Sequence, residues 1–131
     1  VMLPLLDGDL VDLLYRTATG ALGDMDTISM RAGAAVGVVL AAGGYPGAYE
    51  KGKIIDGLDE RAKGTQLFHA GTKRDASGEI VTSGGRVLTV VGTGRDLATA
   101  RSRAYQRLEG VAFEGMQYRS DIALRELETD V

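Results

Sequence analysis

The chain has 131 residues, enough for one hydrophobic core and little more. Its 44 % hydrophobic and 25 % charged content is that of an ordinary globular domain. A net charge of −3 with both signs interspersed argues against a nucleic-acid surface, the absence of cysteine excludes disulfides and thiolate metal sites, and no apolar run approaches the roughly 20 residues of a membrane span. No basic segment leading into an apolar stretch reads as a signal peptide, and a cytoplasmic location is expected. Glycine is the compositional oddity, at 19 residues about twice the usual ~7 %, which points to tight turns or close backbone approaches.

In chain order, Leu6, Leu10, Leu13, Leu14 and Thr17 recur at helical spacing opposite Asp7, Asp9, Asp12 and Arg16. They predict an amphipathic helix over Leu5 to Ala21, ended by Gly20 and Gly23. Its apolar face needs a partner, so the chain is expected to begin in the middle of a larger protein. The apolar run Ala34 to Ala41 reads as a buried strand. It leads into GGYPGAYEKG (Gly43 to Gly52), where Pro46 and the flanking glycines require a loop. Lys53 to Asp56 is a short strand candidate, Gln66 to Gly71 another, and Arg86 to Val91 (RVLTVV) the clearest by its β-branched content.

Between the last two lie a polar turn at Asp75 to Gly78 and the pair Gly84–Gly85. Pairing Gln66–Gly71 antiparallel with Arg86–Val91 leaves 72–85 as a projecting loop or small hairpin and sets Lys73 and Arg86 at the same end of the sheet. The other register, folding at Asp75–Gly78, would separate them; Gly84–Gly85 breaks the strand where that register needs it continuous. Asp96 is an N-cap candidate for a helix whose Leu97, Ala100, Ala104, Leu108 and Val111 repeat at offsets of three and four, ending at Gly110. The remaining tail is expected to hold a short extended piece and a frayed charged end.

GTGRD (Gly92 to Asp96) places glycines before a helix but lacks the spacing of either nucleotide-binding glycine motif, so it reads as a strand-to-helix turn. His69, the only histidine, reads as a structural imidazole with one satisfied hydrogen bond, since no second histidine, serine or cysteine completes a metal site or triad. Two readings stay open for Tyr45, Tyr49 and Lys51: a loop closing over a cleft, or a proline-stiffened turn whose tyrosines cover the sheet. Glu114, Tyr118, Arg119 and Asp121 read as a docking or salt-bridged segment.

Three blocks, AAVGVVLAAGGYPGAYEKG, LFHAGTK and TSGGRVLTVVGTGRDLATARSRAYQRLEGVAFEGMQYRSDI, resemble in content, order and spacing the carboxy-terminal domain of phosphoribosylamine–glycine ligases. Together they span residues 34 to 122. The resemblance implies a fragment of an ATP-grasp enzyme of purine (IMP) biosynthesis that joins glycine to 5-phosphoribosylamine, inactive by itself. It implies ATP and Mg²⁺ or Mn²⁺ bound upstream of this chain, with no catalytic, cofactor or metal residue within it. Residues 1–23 would then be the terminal helix of the ATP-grasp domain and 24–131 the carboxy-terminal domain. The fold is expected to be α+β, a mostly antiparallel sheet of four or five strands with a packed helix plus the lead-in helix. Partners would be the two substrates and the rest of the same enzyme, with neither nucleic acid nor membrane.

By the same resemblance Lys73 and Arg86, on neighbouring strands, would hold the phosphate of phosphoribosylamine, with Gly84 and Gly85 lining the cleft. The chemistry agrees: a phosphate dianion needs positive donors at fixed positions, and an arginine fork suits its oxygens. The rival reading is a non-catalytic binding or assembly module on a related β-rich scaffold.

Overall fold

A computed structural model of the chain describes residues 1–24 and 28–128. Its strands are β1 (Ala34–Ala41), β2 (Thr65–His69), β3 (Thr72–Arg74), β4 (Ile80–Thr82) and β5 (Arg86–Gly94), and its helices α1 (Leu10–Thr19), α2 (Leu97–Glu109) and α3 (Leu124–Glu128). The fold is α+β. β5 is the centre of a three-stranded sheet, paired antiparallel with β1 on one edge and β2 on the other. β3 and β4 form a separate antiparallel ribbon that turns at Asp75–Gly78. The expected four or five strands are thus divided three and two. The charged tail expected to fray ends in residues 129–131, outside the described residues.

Alternation along β1 and β5 builds the core. Val36, Val38 and Leu40 lie opposite Gly92, Val90 and Leu88, all on the face that α2 covers with Ala100, Ala104 and Leu108. Gly92 has a specific task here. A Cβ at that position would overlap the Ala100 carbonyl oxygen and the Ala104 amide nitrogen, so the helix rests on bare strand backbone. Gly94 does the same one turn earlier, against Thr99 and the Ala100 amide. The GTGRD glycines therefore serve helix packing; the strand runs through Gly94, three residues beyond the expected Val91.

Asp96 caps α2, its carboxylate accepting the Thr99 amide at 2.7 Å. At the other end of β5 the ladder steps from Leu40↔Leu88 to Ala41↔Arg86, leaving Val87 as an extra residue. Arg86 consequently shares a face with Ala41 and points away from the α2 side that Leu88 occupies.

Two expected elements differ. α1 is shorter than Leu5 to Ala21, because Leu3–Leu5 form a 3-10 turn, Gly8 adopts φ 154°, and Asp9 starts the helix by accepting the amides of Val11 (2.8 Å) and Asp12 (3.2 Å). It buries no residue fully; Leu10 and Leu13 are half-buried while Val11, Leu14 and Tyr15 stand exposed. Leu14 is thus on the open side, not the packed one. Lys53 to Asp56 is not a strand. It forms isolated bridges, Ile54 to Val81 and Asp56 to Ala112, that tie the β3–β4 ribbon to the chain beyond α2.

Two measurements check this packing. Gly92→Ala should push α2 off the sheet and destabilise the fold by about 2–3 kcal/mol, read from urea denaturation, the scale of overpacking a filled core. Hydrogen bonding from the Thr99 side chain and amide, then the Arg95 guanidinium, holds the Asp96 carboxyl at about 2 against an ordinary 3.8. A depressed carboxyl stabilises the fold above its unfolded value and loses that contribution as pH falls through its folded one. The stability difference between the native chain and Asp96→Ala should therefore be constant at neutral pH and shrink between pH 3.8 and about 2.

Candidate functional site

Beyond His69, the pairing of β2 with β5 continues through Ala70, whose amide bonds Val87 at 3.0 Å, and Gly71, whose amide bonds the Arg86 carbonyl at 2.9 Å. Ser83 then donates to the Gly71 carbonyl at 2.7 Å, closing the base of the ribbon. Lys73 lies two residues past the backbone partner of Arg86, so both cations belong to one end of the sheet. Both side chains are exposed, and among the described residues neither has a hydrogen-bond or ion-pair partner. Most other cations here are engaged: Arg16 with Asp12, Arg95 with Asp96, Arg119 with Asp121, and Arg103 on the Thr93 carbonyl.

The glycines before Arg86 are filled spaces. A Cβ at Gly85 would strike the Tyr45 ring and come within 3.0 Å of Tyr49, and one at Gly84 would come within 3.0 Å of the Gly71 Cα. Tyr45 and Tyr49 pack edge to face, centroids 6.2 Å apart, and Lys51 stands 5.9 Å over the Tyr49 ring. The Tyr45–Pro46 bond is cis, and the Tyr45 carbonyl accepts Gln117 Nε2 at 2.9 Å. Of the two open readings for this loop, the tyrosines cover the sheet at the Gly85 bend, directly beside Arg86.

Sequence reasoning passed over Lys53. Its ammonium lies 2.7 Å from Glu50 and 3.0 Å from Glu114, with its side chain 25 % exposed. Hydrogen bonding to Glu50, then Glu114, raises the Lys53 pKa, and the same contact lowers that of Glu50. It joins the Tyr45–Gly52 loop to the segment after α2. The signal available was only a lysine following EKG, indistinguishable in sequence from a solvated charge.

Nearer the end, Arg101 donates to the carbonyls of Ile122 (2.9 Å) and Ser120 (2.6 Å) and stacks on Tyr105 at 4.5 Å. Tyr105 in turn donates to the Arg119 carbonyl at 2.7 Å. Arg119 and Asp121 pair through two bonds of 2.8 and 2.6 Å, and Tyr118 sits 6.5 Å from the Tyr105 ring, so this stretch docks on α2. His69 is exposed and bonds Thr72 Oγ1 at 2.9 Å through Nδ1. Among the described residues no cluster of three or more histidine, aspartate or glutamate side chains could hold a metal ion, and no helix is long and apolar enough to cross a membrane.

The antiparallel sheet backed by one helix is the fold of a known class of ligase C domains. The family model for the phosphoribosylglycinamide synthetase C domain matches residues 35–125, and the chain belongs to that family. It is 44 % identical over 126 residues to the phosphoribosylamine–glycine ligase of Nostoc sp., covering 95 % of this chain and 30 % of that protein. To the same-named ligase of Mycobacterium bovis it is 48 % identical over 127 residues, 97 % of this chain and 29 % of the relative. The crystal structure of phosphoribosylamine–glycine ligase from Thermotoga maritima superposes with a TM-score of 0.74 at 45 % identity, over 86 % of this chain and 27 % of that one. The chain therefore spans about 30 % of the length of the curated relatives it matches.

Lys53→Met should release the Tyr45–Gly52 loop from the 112–117 segment while leaving α2 in place. Amide hydrogen exchange should speed up at Tyr45 and Gln117 and stay unchanged at Ala104; protection retained at Tyr45 would mean the ion pairs do not hold the loop.

Proposed function

We propose that the chain supplies one wall of the substrate cleft of an ATP-dependent ligase joining glycine to 5-phosphoribosylamine in purine biosynthesis. The observation that carries this reading is the pair Lys73 and Arg86: two cations at one end of the sheet, both exposed and both lacking a partner among the described residues. A phosphate dianion fits that vacancy of charge. Arg86 would grip it with a planar fork and Lys73 with a point charge, while the Gly84–Gly85 backbone borders the same space. The tyrosine pair against Gly85 fixes the bend from which Arg86 departs.

Residues 1–23 are read as the last helix of an upstream ATP-grasp domain, which accounts for the exposed Val11, Leu14 and Tyr15. ATP and Mg²⁺ or Mn²⁺ are assigned to that upstream protein by the chain's likeness to phosphoribosylamine–glycine ligases. The supporting comparison is the identity of 44–48 % along nearly the whole chain to proteins named for this ligase activity. A cytoplasmic location goes with that assignment, and a freestanding binding module has no observation in its favour.

In the complete enzyme, Arg86→Ala should lower kcat/KM for phosphoribosylamine by about 1.5–3 kcal/mol, roughly 10- to 150-fold, the scale of a lost charge-assisted hydrogen bond. Lys73→Ala should act in the same direction and less. Glycine and ATP dependence should remain near wild type in both. An unchanged KM for phosphoribosylamine in Arg86→Ala would remove that residue from the site.

A further inference from the structure

A second cationic position lies elsewhere on the domain. Arg107, on the last turn of α2, has a side chain only 3 % exposed. Its Nη2 donates to the Gly57 carbonyl at 2.6 Å. Its Nη1 is buried and has no hydrogen-bond acceptor among the described residues. The nearest carboxylate oxygen, of Glu60, stands 4.0 Å away, an ion pair beyond hydrogen-bond reach, on a side chain 70 % exposed. A guanidinium cannot shed its charge, and a buried donor left without an acceptor forfeits the hydrogen bond it made to water. That is a poor end state for an arginine so deeply placed.

Arg107 borders a groove of about 440 Å³, walled also by the Leu58–Ala62 loop and β2 from Thr65 to His69, with Nη1 just beneath its surface. β2 is an edge strand. The amides of Ala70 and Thr93 bond across to Val87 and Gly64, which fixes the alternation of the ladder; the N–H and C=O groups of Leu67 and His69 therefore turn outward, along the groove. Arg61 stands at the rim, exposed and without a partner among the described residues. Neither Lys73, Gly84, Gly85 nor Arg86 lines this space.

We propose that this groove is a second ligand site, taking an oxyanion group, carboxylate or phosphate, of a small molecule against Arg107 Nη1. Its volume is in the range of small-ligand clefts. The ligand oxygen would take the hydrogen bond that Nη1 lacks, Arg61 would add a screened charge at the rim, and the outward amides of Leu67 and His69 could hold the polar remainder. Glu60 opposes it. Its carboxylate is a like charge beside the same nitrogen and must stay aside when the anion binds.

The test is an NMR titration of the full chain with inorganic phosphate and, separately, sodium acetate, with chloride as the ionic-strength control. The Arg107 side-chain nitrogens and the Leu67 and His69 amides would be followed. Saturable shifts with a millimolar Kd are expected from at least one anion, and the tighter of the two distinguishes a phosphate ligand from a carboxylate one. Arg107→Gln should weaken binding at least about ten-fold and Arg107→Lys less, whereas Glu60→Gln should tighten it a few-fold by removing the like charge. Thermal melts of the variants establish that they are folded. The double variant Lys73→Ala/Arg86→Ala should bind at this groove as the native chain does, so failure of the phosphoribosylamine reading would leave this result standing.

Shifts that track chloride equally, no saturation by about 50 mM of either anion, or undiminished binding in Arg107→Gln would overturn the proposal. So would weaker binding in Glu60→Gln.

Discussion

Everything in this domain is built against β5. Both of its edges are used, by β1 and β2, and one face carries α2 on bare glycine backbone. A three-stranded sheet is close to the minimum that is stable in water, so the single helix behind it has to approach as closely as possible. Gly92 and Gly94 make that approach possible, and Ala100 and Ala104, the smallest side chains a helix can present, complete it from the other side. The high glycine content thus has a mechanical origin at these positions. It does not mark a nucleotide loop.

The ends of β5 divide the labour. Its carboxy end turns at Arg95 and Asp96 into the capped start of α2, which fixes the helix along the strand. Its amino end emerges from the Gly84–Gly85 bend, wedged between the Gly71 backbone and the two tyrosines. The first end is all packing. The second leaves Arg86 and the nearby Lys73 exposed and without side-chain partners among the described residues. The Lys53 ion pairs lie behind the tyrosines and link their loop to the segment that re-enters the sheet at Gln117.

Much of this architecture was legible from periodicity. The β1 run matched its strand from Ala34 to Ala41, the offsets of Leu97, Ala100, Ala104 and Leu108 gave α2, and Gly84–Gly85 gave the register that sets Lys73 and Arg86 at one end. α1 was overextended because Leu6 fits the helical stripe, although Gly8 and the capping Asp9 bar the helix from beginning before Leu10. Lys53 to Asp56 has strand composition but only single bridges as partners, and partners are a tertiary fact. Lys53 and Arg107 were invisible for a common reason: a cation on a loop or helix reads as solvated unless the fold encloses it.

The extra residue in β5 has an implication for how freely this sequence can change length. Were Val87 paired in the ladder instead of in excess, strict alternation would put Arg86 on the same side as Leu88, under the helix, where a permanently charged group has no solvent. Losing the Val87 codon would remove the bulge and leave Arg86 opposite Ala41 on the open face, whereas one added residue there would turn the cation inward. Natural drift in this family should tolerate insertions at the Asp75–Gly78 ribbon tip, which no ladder reads, and resist them within the two residues that follow Gly85.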